Sequence, residues 1–239
     1  MRKRLWPVVA MAAILAFGGI LMLMMLLGGD DEPAIEEPPA CFEGPVTPGI
    51  DVSYYQGQIQ WRKVQKAGIR FAFIRVSDGL GNRDTMFEKN WSGAKHAKIR
   101  RGAYQYFRPE ESAIAQADLV IAALSRDPGE LPPVIDVEAT GGKSPKQIER
   151  QVRAWVERIR AKLRVEPIVY TSPAFWKDAV GSADLSSQPL WLAHYTSECP
   201  RIPAPWTTWK FWQHSETGRV PGISGPVDLN VMAGELPPP

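Results

Sequence analysis

The stretch PVIDVEATGGKSPKQIERQVRAWVERIRAKL, residues 133–163, joins a short apolar run to a long amphipathic segment. Val134–Ala139 has the length and composition of a buried strand. In Pro145–Leu163 the apolar residues recur at helical spacing on one face, behind Ser144 as N-cap and Gln147 as its capping-box partner. The stretch therefore predicts a buried strand followed by a helix.

The same alternation extends over most of the chain. Four more apolar runs are followed by helix-like sequence, namely Gly49–Ser53, Phe71–Ser77, Gly102–Phe107 and Ile168–Ser172. Three later runs have connections too short for full helices, namely Leu190–Tyr195, Trp209–Ser215 and Val227–Val231. Alternating strands and helices indicate a parallel sheet, and five β/α units followed by three strands with few helices predict a TIM-like β/α barrel. An open doubly wound sheet is the competing fold, but no Gly-x-Gly-x-x-Gly turn follows the first strand.

The N-terminus has the pattern of a membrane anchor. Three basic residues precede Val8, and no charged residue occurs from Val8 to Gly29. Roughly 20 apolar residues at about 1.5 Å each would cross the hydrocarbon core of a bilayer. We therefore predict that residues 1–29 form a membrane anchor or uncleaved signal. The chain from Asp30 onward would lie outside the cytoplasm, periplasmic or extracellular, and secretion after signal cleavage is the alternative.

The remaining chain divides into a linker and one domain. Residues 30–48 are rich in Pro and Glu and have too little apolar content to fold alone, so they predict a tether. Residues 49–239 are long enough for one barrel domain, which we expect to be monomeric. Cys41 and Cys199 are the two cysteines, and outside the cytoplasm they either form a disulfide or remain two free thiols.

Several classes of function lack support. A formal net charge of +2, from 28 Lys and Arg against 26 Asp and Glu, gives no field for steering toward nucleic acid. The three histidines, His96, His194 and His214, have no zinc-site spacing, and no Gly-x-Ser-x-Gly elbow occurs. We therefore expect no metal, no cofactor and no acyl-transfer chemistry.

Four acidic residues stand where strands of a closed barrel would meet. Asp136 and Glu138 are two apart in a strand, so they face one side while Ile135 faces the other. Asp51 ends the first strand and Asp228 begins the last, and these strands are neighbours in a barrel. Buried like charges are costly, and glycosidases use such pairs because one carboxyl group must stay protonated and another ionised. A salt-bridged acidic pair is the alternative for Asp136 and Glu138.

Aromatic residues recur at the same strand ends, where flat rings are suited to stacking on sugars. For each aromatic residue, packing in the core is the alternative. The predicted substrate-binding set is Tyr54, Tyr104, Tyr106, Tyr170, Trp191, Tyr195, Trp212 and Gln213.

Seven short strings together resemble glycoside hydrolase family 25, the Chalaropsis-type lysozymes. They are GIDVSYYQG (49–57), GAYQYFRP (102–109), PVIDVE (133–138), YTS (170–172), WLAHY (191–195), WQ (212–213) and GPVDLN (225–230). The resemblance covers nearly the whole domain in the expected order. Two positions depart from it: similar sequences often have His at Gln105 and Tyr at His214, so we expect differences in pH dependence or subsites.

This resemblance implies a function and roles for the acids. The function is hydrolysis of the β-1,4 bond between N-acetylmuramic acid and N-acetylglucosamine in the glycan strands of peptidoglycan. Glu138 would be the general acid, Asp136 its partner, and Asp51 and Asp228 supporting acids. Two alternatives remain: a catalytically silent module that binds the cell wall, and a related barrel glycosidase acting on chitin-like polymers.

Overall fold

The structure, a computed structural model, describes residues 35–181 and 183–236, and within them all but one of the strands form a closed barrel. In chain order the strands are β1 (Val46–Val52), β2 (Phe71–Asp78), β3 (Asn82–Arg83), β4 (Arg100–Tyr106), β5 (Val134–Asp136), β6 (Ile168–Thr171), β7 (Leu190–Ala193), β8 (Phe211–Gly218) and β9 (Val227–Ala233). All except β3 form the barrel, which closes where β1 pairs with both β2 and β9. The short β3 folds back on the end of β2.

Helices follow the early strands and are reduced to short turns after β6, the fifth barrel strand. They are α1 (Trp61–Lys66), α2 (Phe87–His96), α3 (Ala113–Leu124), α4 (Pro145–Leu163) and α5 (Pro173–Phe175), which runs into a π-helical turn at Trp176–Val180. A 3-10 turn, Tyr54–Gln56, follows β1. The predicted β/α barrel with three final strands and few helices is confirmed.

Strand direction changes once, at the last strand. Each barrel strand from β1 to β7 runs parallel to the barrel strand that follows it. The last strand, β9, is antiparallel to both β8 and β1. A parallel crossover needs a connection of about a dozen residues or more, whereas residues 219–226 supply only a short loop. The predicted parallel arrangement thus holds except for β9.

Successive side chains of each strand point to opposite sides of the barrel wall, so the strands separate two apolar cores. Side chains facing inward fill the barrel, led by Phe71, Phe73, Trp191 and Phe211. Side chains facing outward, such as Ile135, pack under the helices. Strand residues one apart therefore belong to different cores, and those two apart share one.

Helix α4 is a substantial part of the outer layer, and it forms over the predicted range. Its buried face consists of Ile148, Val152, Trp155, Val156 and Ile159. At its start, Gln147 Oε1 accepts a hydrogen bond from the backbone N–H of Ser144 at 2.9 Å. The capping box seen in the sequence therefore satisfies backbone groups that the first helical turn leaves free.

The N-terminal approach to the barrel is fixed covalently. Cys41 and Cys199 form a disulfide, with their Cα atoms 5.2 Å apart and 158 positions apart in sequence. Of the two alternatives left by the sequence, the bridge is therefore the one observed. Residues 46–48, placed at the end of the linker, belong to β1 and pair with β9.

No helix within residues 35–181 and 183–236 combines the length and apolar character needed to cross a bilayer. The predicted anchor, residues 1–29, lies outside the described residues.

We predict that replacing both cysteines, Cys41→Ser with Cys199→Ser, lowers the free energy of unfolding by about 2 to 5 kcal/mol. The bridge closes a long loop and so restricts the unfolded chain. Urea denaturation of oxidised protein followed by tryptophan fluorescence measures the change. Reduction of the wild-type protein should reproduce most of it, and an unchanged midpoint in both experiments would contradict the prediction.

Candidate active site

An open cleft of about 470 Å³ lies at the carboxyl ends of the parallel strands. Its lining includes Asp51 of β1, Asp136 of β5, Glu138 just after β5 and Asp228 of β9. Asp51 and Asp228 are directly opposite each other in the β1–β9 register. The barrel thus brings together four acidic side chains that are far apart in the chain.

Asp51 is held by two amide side chains. Its Oδ1 accepts hydrogen bonds from Gln213 Nε2 at 2.8 Å and from Asn230 Nδ2 at 2.7 Å. The oxygen of Asn230 in turn accepts a hydrogen bond from Trp191 Nε1 at 2.7 Å. An indole N–H can only donate, so Asn230 must turn its amide nitrogen toward Asp51. This chain of contacts keeps Asp51 in the role of acceptor.

Asp51 and Asp228 share a proton. Burial, followed by the negative charge of Asp51, raises the pKa of Asp228 to about 9. The protonated Asp228 donates a hydrogen bond to Asp51, while burial raises the pKa of Asp51 from its ordinary value. Two carboxyl groups this close in a poorly solvated site cannot both ionise near neutral pH. The pair therefore carries one negative charge.

Asp136 and Glu138 occupy the other side of the cleft, and their surroundings differ from those of Asp51 and Asp228. Asp136 is only 5% exposed, and burial followed by the charges of Glu138 and Asp51 raises its pKa well above the ordinary value. Its Oδ1 has no hydrogen-bond partner in the described protein. Glu138 reaches solvent at the mouth, yet loss of water within the cleft and the charge of Asp51 raise its pKa. An acid with a raised pKa that reaches solvent thus stands beside a buried acid whose Oδ1 is unsatisfied.

Aromatic side chains form the floor and walls of the cleft. Trp191 is 1% exposed and stacks on Phe73, with ring centroids 4.4 Å apart, so it closes the floor. Tyr170 and Tyr195 both donate hydrogen bonds to Gln213 Oε1, at 2.9 and 2.8 Å. Six members of the predicted substrate-binding set line the cleft: Tyr104, Tyr106, Tyr170, Trp191, Tyr195 and Gln213.

Two other members of that set lie elsewhere. Trp212 is 1% exposed, packs in the outer core and donates its indole N–H to the backbone oxygen of His194 at 2.8 Å. Its selection was wrong, because adjacent strand residues face opposite sides and Gln213 is the one that faces inward. Tyr54 does not line the cleft, and its ring packs on Tyr55, with centroids 4.2 Å apart.

Several charged residues that line the cleft were not predicted from the sequence. Arg75 interrupts the inward row of β2 after Phe71 and Phe73, and a charge in an otherwise apolar strand was an available signal. Its guanidinium donates to Asp84 Oδ2 at 3.1 Å and lies 5.0 Å from the ring centroid of Tyr54. Asp84 Oδ2 also accepts the backbone N–H of Tyr54, so this ion pair fixes the rim after β1.

A second missed pair borders Glu138. Arg108 donates two hydrogen bonds to Asp78, at 2.6 and 2.8 Å, and lies 4.5 Å from the ring centroid of Tyr106. The positive charge of Arg108 partly opposes the rise in the pKa of Glu138. Glu216 of β8 also lines the cleft and was not predicted.

The two positions that depart from similar sequences both face away from the cleft. Gln105 is fully buried, accepts the indole N–H of Trp155 at 2.9 Å and donates to Ser77 Oγ at 2.9 Å. His214 lies on the outward side of β8, with its ring 5.7 Å from that of Trp212. Neither side chain lines the cleft, so neither can alter the cleft by direct contact.

In the described part of the chain, no group of three or more His, Cys, Asp or Glu side chains has an arrangement suited to a metal ion.

Comparison with known proteins identifies one family repeatedly. The sequence model of "Glycosyl hydrolases family 25" matches residues 50–223. Lysozyme M1 of Streptomyces globisporus is 38% identical over 198 residues, which cover 78% of this chain and 67% of that protein. The N,O-diacetylmuramidase of Chalaropsis sp is 30% identical over 200 residues, or 75% of this chain and 95% of that protein.

Solved structures give the same result. A bacterial lysozyme from Streptomyces coelicolor superimposes with a TM-score of 0.74 at 34% identity, covering 80% of this chain and 93% of that one. A family 25 lysozyme from Aspergillus fumigatus superimposes with a TM-score of 0.73 at 27% identity, covering 80% and 96%.

The shared proton predicts how stability depends on pH. Asp228 has a pKa raised from 3.8 to about 9 in the folded protein, so between these values the folded state binds a proton that the unfolded state has lost. Its contribution to stability is therefore complete below pH 3.8 and is lost as pH rises through about 9. Asp228→Asn, which stays neutral and can still donate to Asp51, should weaken this decline.

Urea denaturation of both proteins at intervals from pH 5 to pH 9 provides the measurement. The free energy of unfolding should fall more steeply with pH for the wild type than for the variant. Parallel curves for the two proteins would show that Asp228 is already ionised in the folded state.

Proposed function

Because the chain belongs to glycosyl hydrolase family 25, we propose that it is a lysozyme cutting the β-1,4 bond between N-acetylmuramic acid and N-acetylglucosamine. The observation that carries this proposal is the meeting of Asp51, Asp136, Glu138 and Asp228 in one open, aromatic-walled cleft. Its relatives named lysozyme and N,O-diacetylmuramidase support peptidoglycan as the substrate.

Glu138 is the general acid of the proposed reaction. It stands at the mouth, where a glycosidic oxygen can reach it. Burial followed by the charge of Asp51 raises its pKa, which favours the protonated form that a general acid needs. As the bond from the anomeric carbon to the leaving oxygen breaks, Glu138 gives its proton to that oxygen. Such a proton transfer contributes roughly 10²- to 10⁴-fold to the rate.

Asp136 orients the substrate's N-acetyl group. Its unpaired Oδ1 is a buried acceptor without a donor, and an acetamido N–H would satisfy it. A donated N–H favours the ionised form and so offsets the effect of burial on the pKa of Asp136. The acetamido oxygen then attacks the anomeric carbon while the leaving group departs. Water later adds to that carbon, giving one proton to Glu138 and releasing the acetamido oxygen.

Asp51 and Asp228 supply electrostatic support. Their single shared negative charge lies on the wall facing Asp136, close to where positive charge develops on the sugar ring. The two amides and the indole that fix Asp51 are already in place before substrate arrives, so little reorganisation is needed during the reaction.

The sugar-stacking surfaces are the more exposed aromatic residues. Tyr195 is 47% exposed and Tyr55 is 72% exposed, and both line the cleft. Trp191 and Tyr170 are 1% and 7% exposed, so they shape the floor rather than offer a face. Stacking on the rim would leave the polar floor groups free to bind sugar hydroxyls.

We place the barrel outside the cytoplasm, where peptidoglycan lies, and propose that residues 1–29 tether it to the membrane. The apolar composition from Val8 to Gly29 supports the tether. The disulfide between Cys41 and Cys199 supports an oxidising compartment for the barrel.

Replacing the proposed acid should abolish turnover while preserving the fold. We expect Glu138→Gln to lower kcat on purified peptidoglycan by roughly 10²- to 10⁴-fold, because the leaving oxygen loses its proton donor. New reducing ends are counted, and the terminal sugar is identified after borohydride reduction. Glu157→Gln, on the exposed side of α4, is the matched control and should keep wild-type activity.

Wild-type turnover by Glu138→Gln would overturn the assignment of the acid. Reducing-end N-acetylglucosamine instead of N-acetylmuramic acid would overturn the choice of bond. Binding of the wall without any new reducing ends would show a catalytically silent module.

The proposed tether predicts where the protein fractionates. The full chain should sediment with membranes and resist extraction by carbonate, whereas residues 35–239 should not. Placing arginine in the apolar segment, Phe17→Arg with Ile20→Arg, should reduce membrane retention, because each charge costs about 2.5 to 3.5 kcal/mol at the centre of a span. Equal fractionation of all three proteins would contradict the tether.

A further inference from the structure

A second groove, of about 670 Å³, adjoins the active-site cleft. Tyr195 and Glu216 line both spaces, so the two share a wall. The far side of the second groove is formed by Glu36 and Glu37, which precede the barrel in sequence. A glycan lying in the cleft would therefore have this groove beside it.

The segment that carries Glu36 and Glu37 is held in place by a disulfide and by packing against the barrel. The disulfide of Cys41 anchors the segment to the loop after β7, and Pro38 and Pro39 restrict its backbone. Ile35 and Cys41 also pack against the outer apolar core. The groove is therefore a built feature of the folded domain.

His214 places a mostly buried polar side chain, without a hydrogen-bond partner in the described protein, on the wall of this groove. Its side chain is among the groove-lining residues and only 9% exposed. Within the described residues its imidazole contacts the ring of Trp212 and forms no hydrogen bond. Burial lowers the pKa of His214 to about 4, so the ring is neutral at neutral pH and offers one donor and one acceptor. A peptide amide, which has one of each, matches that pair.

The negative charge of the groove favours binding of a cation. Glu36, Glu37 and Glu216 line it, and no Lys or Arg is found among the lining residues in the described part of the chain. Three carboxylates without a basic partner attract an ammonium group more than a neutral sugar.

We propose that this groove binds the peptide substituent of the glycan strand through a free ammonium group. In peptidoglycan the muramic acid in the cleft bears a short peptide that contains a diamino acid. Glu36 and Glu37 would hold its side-chain ammonium, and His214 would hydrogen-bond its backbone. The inference rests on the proposed lysozyme function and adds a preference for strands whose peptides are not cross-linked through that amine.

Three substrates separate this binding from catalysis. They are purified peptidoglycan, the same material with its amines acetylated, and peptide-free glycan strands. The test variant is Glu36→Gln with Glu37→Gln. The matched control is Glu43→Gln with Glu198→Gln, which removes the same charge from exposed residues that flank the disulfide but do not line the groove.

On purified peptidoglycan the test variant should show KM raised roughly threefold to tenfold with kcat unchanged, as expected for two exposed ion pairs. Acetylation should raise the wild-type KM to that of the test variant and leave the test variant unchanged. All proteins should act equally on peptide-free strands. His214→Phe should also raise KM on peptide-bearing substrate alone.

An equal loss on peptide-free strands would show that the groove binds glycan. Equal sensitivity of wild type and test variant to acetylation, or no change in KM, would overturn the inference. If the proposed function itself were wrong, the wild type would release no reducing sugar from any of the three substrates, which is a different result.

Discussion

Asp51 and Asp228 lie opposite each other in the antiparallel strand pair that closes the barrel, where neither carboxyl group is well solvated. Both cannot carry charge there, so one proton is shared and one negative charge remains. That charge determines what can surround it: two amide donors on Asp51, and a Trp191 indole that fixes one of these amides. Burial, followed by this charge, also raises the pKa of Glu138 across the cleft. The arrangement of proton donors and acceptors in the cleft thus follows from barrel closure.

The packing that stabilises the barrel and the groups proposed for catalysis share the same strand faces. Trp191 stacks on Phe73 below and donates to Asn230 above, so the apolar interior directly supports the polar floor of the cleft. Above this floor the protein carries buried acids that disfavour folding as pH rises. An orphan acceptor on Asp136 adds to that cost. The closed strand pairing and the continuous aromatic interior stabilise the fold and offset these costs. They also keep the acids in place.

Much of the site could be predicted from the sequence, because strand ends and a period of two are local signals. They selected Asp51, Asp136, Glu138 and Asp228, all of which line the cleft. The same period, applied to Trp212 and Gln213, would have shown that only one of them could face inward. Arg75 was missed although it stands in the inward row of an apolar strand. The pairing of Arg108 with Asp78 could not be foreseen, because nothing local relates residues 30 positions apart.

By itself the sequence determined the alternation of strands and helices, the range of α4 and the face of each strand that carries acids. These depend on periodicity and on capping residues that are close in the chain. The tertiary structure alone decided the antiparallel direction of β9, the bridge from Cys41 to Cys199, the proton shared by two aspartates and the groove beside the cleft. Each of these depends on distances between segments remote in sequence, and such distances are fixed only when the barrel closes.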